Sequence, residues 1–73
     1  MTESHAISAT AAEVRAALAR IGMTQTALAE RTSRSQHFWS NRLRGRVPFG
    51  VADLEAISRI TGVPVIALIE GAS

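Results

Sequence analysis

Gln36, His37, Ser40, Asn41 and Arg44 fall at spacings that a helix, turning about 100° per residue, gathers onto one face. Their side chains supply directional donors and acceptors, not a nucleophile with its base. A glutamine or asparagine amide can bond both N6 and N7 of adenine, an arginine fork can bond O6 and N7 of guanine, and serine or histidine can meet several acceptors. Such a face reads base edges. Charge points the same way: Arg31, Arg34, Arg42, Arg44 and Arg46 lie in a segment, 31–52, that contains no acidic residue, whereas the rest of the chain sets three arginines against six carboxylates. A DNA duplex presents one phosphate charge per roughly 1.7 Å of axis, and a concentrated basic segment suits it.

The inventory argues against other classes. Seventy-three residues make one small domain, too short for the walls and lid of a deep substrate cleft. There is no cysteine, His5 and His37 are far apart in the chain, and Asp53 is the only aspartate. No spacing matches a metal site, a phosphate loop or a catalytic triad. The expectation is a binding module that is not an enzyme and uses no cofactor, metal or small-molecule substrate. The stretch from Met1 to Ser8 holds Glu3 and His5 where a signal peptide needs a basic and then an apolar run, and the longest apolar run is too short for a bilayer. The chain is therefore expected in the cytoplasm, away from membranes.

Five short helices must position the polar face. Thr10 followed by Glu13 reads as a capping box that opens the first helix near Ala11, with Val14, Ala17, Leu18 and Ile21 as its apolar stripe and Gly22 as its end. Thr24 caps a second helix from Gln25 to about Thr32, with Leu28 and Ala29 inward. Ser33-Arg34-Ser35 is the turn, and Ser35 caps a third helix that runs to Arg44 and stops at Gly45. Gly50 caps the fourth, Val51 to Thr61, with Phe49 and Leu54 as a hydrophobic staple and Leu54, Ile57 and Ile60 inward. Gly62 ends it, and Pro64 occupies the tolerated first position of a last short helix. The domain is expected to span 9–71, with 1–8 a flexible tail and 72–73 loose.

The stretch from Thr24 to Arg46, T-Q-T-A-L-A-E-R-T-S-R-S-Q-H-F-W-S-N-R-L-R-G-R, resembles the helix-turn-helix of the Cro and phage-repressor (XRE-type) DNA-binding family. Gln25, Leu28, Ala29, Ser35, Trp39 and Gly45 carry the likeness, which continues through Leu54, Ile57, Ile60, Gly62-Val63 and Leu68. It implies an all-α, five-helix, lambda-repressor-like domain with the motif in helices 2 and 3. The arginine-only basic set and R-L-R-G-R-V-P-F look like actinobacterial or actinophage members. Three positions depart from the pattern: Ser33 stands where a turn glycine is usual, Arg42 where an apolar residue is usual, and Pro64 where a polar cap is usual.

The resemblance assigns base contacts to Gln36, His37, Ser40 and Asn41, and phosphate contacts to Thr24, Gln25, Arg34, Ser35, Arg44 and Arg46; Gln25 would also brace Gln36. Backbone N–H groups at a helix start add a ready anion site. Trp39 takes an inward slot and is expected in the core. Phe38, on the edge of that side, either joins the core or touches a thymine methyl. Arg42 points toward the protein body, where its head is expected to pair with Glu13, Glu30 or Glu55.

Val63, Val65, Ile66, Leu68 and Ile69 spread over more of the last helix than a one-sided core stripe requires, which suits a homodimer through Val65, Ile66 and Ile69 on two half-sites as well as a small core that uses all five. The resulting reading is a sequence-specific repressor that binds a double-stranded operator. An antitoxin-type autorepressor with a toxin partner, and a helical protein-interaction adaptor without DNA binding, are the alternatives.

Overall fold

Left-handed residues at four helix ends cut the chain into the pieces that build the fold. The computed structural model describes residues 2–70, with side chains from Ala9 onward. Five helices and no strand lie among them: α1 (Thr2–Arg20), α2 (Gln25–Thr32), α3 (Gln36–Leu43), α4 (Val51–Thr61) and α5 (Val65–Glu70). Met1 and residues 71–73 fall outside the described residues, and with them the end of the expected domain and the expected looseness of 72–73.

The first three helices end in the same way. Gly22 N donates to Ala19 O and Met23 N to Leu18 O; Ser33 N donates to Glu30 O and Arg34 N to Ala29 O; Gly45 N donates to Arg42 O and Arg46 N to Asn41 O. This paired return is the Schellman arrangement, which requires a left-handed residue at its corner. Gly22 and Gly45 supply it with φ of 68° and 77°, and Ser33 supplies it with φ of 56°. The serine therefore does bear the turn's left-handed backbone.

Several ends differ from expectation. The backbone is helical from Thr2, not from Ala11, so Thr10 is interior to α1 and the expected capping box does not cap it. The stretch 2–10 contains neither glycine nor proline, and a helix already nucleated propagates through such residues. Ile21 lies beyond the end of α1 and is 46% exposed, so it leaves the stripe. α3 ends at Leu43, with Arg44 as its half-helical cap. Pro64 precedes α5 instead of opening it, because its carbonyl accepts from Ala67 N and Leu68 N.

The core takes residues from every helix. Val14, Leu28, Trp39, Ile57 and Leu68 are its largest fully buried side chains, one from each of the five helices. Removing each from water stabilises the fold by about 1.5–3 kcal/mol. α1 packs against α3, α4 and α5, α2 against α3, and α4 against α5. The arrangement leaves one side of the α2–α3 corner open.

Candidate nucleic-acid interface

Two side-chain caps fix the corner. Thr24 Oγ1 accepts from Ala27 N at 3.1 Å and Ser35 Oγ accepts from Phe38 N at 3.0 Å, each satisfying one donor of its helix's free first turn. Gln25 Nε2 then donates to the backbone carbonyl of Gln36 at 3.2 Å, so the first residue of α2 holds the first residue of α3. The brace on Gln36 is thus made to its main chain. At the other end of α2, Thr32 Oγ1 donates to Leu28 O and accepts from the indole Nε1 of Trp39, both at 2.8 Å. One hydroxyl joins the end of α2 to the middle of α3.

The inner side of α3 is anchored heavily. Trp39 is 1% exposed and meets Phe38 edge-on, with ring centroids 5.1 Å apart. Phe49 packs 6.4 Å from the Trp39 ring, which brings the loop after α3 against the core. Phe38 is half-buried there and carries the guanidinium of Arg42 at 3.6 Å from its centroid and that of Arg34 at 4.5 Å.

Arg42 does point toward the protein body, but its partner is Asp53 and none of Glu13, Glu30 or Glu55. Its Nε donates to Asp53 Oδ2 at 3.2 Å, and Gly50 N donates to the same oxygen at 2.8 Å. Asp53 is the third residue of α4, so its carboxylate reaches back to the cap while α3 crosses in front of it. Arg42 also donates to Phe38 O. A position where the family pattern has an apolar residue is filled by a guanidinium that bonds in three directions.

Arg15 is a contributor that the sequence reading missed. Its Nη1 donates to Leu43 O, covering a free carbonyl at the negative end of α3 and tying α1 to it. An arginine alone on the solvent-facing side of a helix carries no signal of such a partner.

The outer side of α3 is nearly free of internal bonds. Gln36, His37 and Arg44 are exposed, and Ser40 and Asn41 are half-exposed. Asn41 Nδ2 lies 3.1 Å from His37 Nε2, one turn away, and can donate to it only while that nitrogen is unprotonated. Arg46 is exposed beyond Gly45. Neither Arg44 nor Arg46 makes a side-chain hydrogen bond or ion pair among the described residues. Thr24, Gln25, Ser35, Gln36 and His37 lie at the two helix N-termini, Ser40 and Asn41 one turn further along α3, and Arg44 and Arg46 beyond its end. Arg34 stands apart, in a cleft with Arg31, Trp39 and Arg59.

Two capped helices crossing at a left-handed turn, with a polar outer face on the second, define a helix-turn-helix protein. The family model described as a helix-turn-helix domain matches residues 7–69, and the chain belongs to that family. No curated protein and no solved structure matches it. A DNA-binding regulator is the class to which this assignment points. No helix among the described residues is long and apolar enough to cross a membrane.

Proposed function

We propose that the protein is a sequence-specific transcriptional repressor of Cro type, with α3 lying in the major groove of a double-stranded operator. The observation that carries this reading is the division of α3: its inner side is consumed by the core, while Gln36, His37, Ser40 and Asn41 remain available on a helix whose position is fixed at both ends. Gln36 and Asn41 have the amides that suit adenine. Thr24, Gln25 and Ser35 would meet phosphates at the helix N-termini, and Arg44 and Arg46 would meet them after α3.

Selection from a pool of random duplexes tests the reading. The wild-type chain is expected to enrich a recurring half-site, and Arg44→Ala and Arg46→Ala each to flatten the slope of log K against log salt by about 0.9. Failure to retain any duplex at low salt would overturn it.

A homodimer through α5 belongs to the same proposal. Ile66 and Ile69 are 64% and 48% exposed one turn apart, and Val65 beside them is half-buried against the core. Pairing through the two isoleucines would set two α3 helices against two half-sites. Sedimentation should then show a dimer that Ile66→Glu converts to a monomer without loss of helix; a wild-type monomer at high concentration would refute the pairing.

A further inference from the structure

Three arginines outside the proposed groove face converge on one concavity. Arg31 and Arg34 at the end of α2 and Arg59 in the last turn of α4 line an open cleft of about 510 Å³. Trp39, Ala52, Ala56 and Ile60 supply its apolar surface. None of the three arginines is in an ion pair among the described residues, and the one carboxylate in the cleft, Asp53, is already held by Arg42. The cleft is therefore an uncompensated positive site with an apolar lining.

Arg34, expected from the sequence to meet a phosphate and adjacent to Ser35, marks the edge of the cleft nearest the DNA face, and the other two arginines lie away from that face. Arg31 lies about 9 Å along α2 from Gln25, and Arg59 about 12 Å along α4 from Val51, at a rise of about 1.5 Å per residue. Both sit at the opposite ends of their helices from the groups that would face phosphates: the N-terminus of α2 and the loop after α3. A phosphodiester backbone, whose apolar surface is limited to its sugars, has no side chain to place on Ala52, Ala56 and Ile60. A peptide does, and guanidinium forks match carboxylates in pairs of parallel hydrogen bonds.

We propose that this cleft between α2 and α4 is a docking site for a short acidic segment of a partner protein, whose carboxylates pair with Arg31, Arg34 and Arg59 while a small apolar side chain rests on Ala52, Ala56 and Ile60. The regulator would then hold DNA on one side and a protein partner on another. The site does not depend on whether α3 reads a groove.

The probe is a capped peptide in which glutamates flank an Ala-Leu pair, titrated into the isotope-labelled full chain and followed by amide and indole resonances. Saturable shifts at Thr32, Ala52, Ala56, Arg59 and the Trp39 indole are expected, with none from the same peptide carrying glutamines. Arg31→Ala and Arg59→Ala, both at exposed positions, should each weaken binding by about tenfold or more, the loss of one charge-assisted fork. Their affinity for random duplex and its salt slope should stay wild-type. Absence of saturable shifts overturns the proposal. So does inorganic phosphate moving the same resonances as tightly as the peptide, which would make the cleft a general anion site. A flattened salt slope in the two variants would assign it to the DNA backbone instead.

Discussion

The two sides of α3 follow opposite rules although they share eight residues. On the inner side nearly every group has a partner from another element: Trp39 bonds Thr32 of α2, Arg42 bonds Asp53 of α4, and the terminal carbonyl of Leu43 takes Arg15 of α1. On the outer side the one bond between two side chains among the described residues is local, between Asn41 and His37. The contrast teaches that the helix is oriented by one set of residues and offers another, so that position and recognition are separable by substitution.

The sharpest way to break that separation is to remove the anchor itself. Trp39→Ala deletes the largest buried side chain and leaves the Thr32 hydroxyl without the indole, so stability should fall by about 3–5 kcal/mol. Urea unfolding measures it, and a domain this small is expected to be largely unfolded. A loss below about 1 kcal/mol would mean that α3 is held from elsewhere. Asp53→Ala comes next, because it strips Arg42 of its partner and Gly50 N of its acceptor in one change. About 2–3 kcal/mol should go, with the helical signal of the native state retained.

Gln36→Ala tests the outer side. It should cost about 1–3 kcal/mol on the selected operator while leaving random-duplex affinity and the urea midpoint near wild-type. Equal loss on both DNAs would remove Gln36 from base reading. The smallest effect concerns the turn between the two helices. Ser33→Gly relieves a left-handed non-glycine residue and should raise stability by up to about 1 kcal/mol. A destabilised variant would show that the serine is held there by something other than backbone need.

The sequence carried local signals well and long-range ones poorly. Thr24, Ser35 and Gly50 act at the ends assigned to them, and α2 and α4 begin and end where their caps and glycine say, because capping is chemistry among residues three or four apart. Trp39 was legible as core from helical period alone. The partner of Arg42 was not, since the crossing of α3 over the start of α4 decides which carboxylate comes within reach. Asp53 was visible only as a residue that begins a helix. Arg15, and the meeting of Arg31 with Arg59, were hidden for the same reason. The early start of α1 escaped because Thr10 and Glu13 form a sound cap signal that the helix runs through. The polar side of α3 was readable as a face because helical period alone groups Gln36, His37, Ser40 and Asn41.

Leu68, sealed at 1% exposure although it belongs to the last of the five helices, has a consequence for the order in which the protein is made. A ribosome adding about 5–20 residues per second delivers the end of α3 roughly 1–5 seconds before residue 68. During that interval the corner can form its caps and its Thr32 bond, but the space beside α1 and α4 that Leu68 fills remains open to solvent. The nascent chain therefore passes through a stage in which its α2–α3 corner is assembled over an unclosed core, and the final turn of α5 is the event that ends its exposure to proteases and to other unfinished chains.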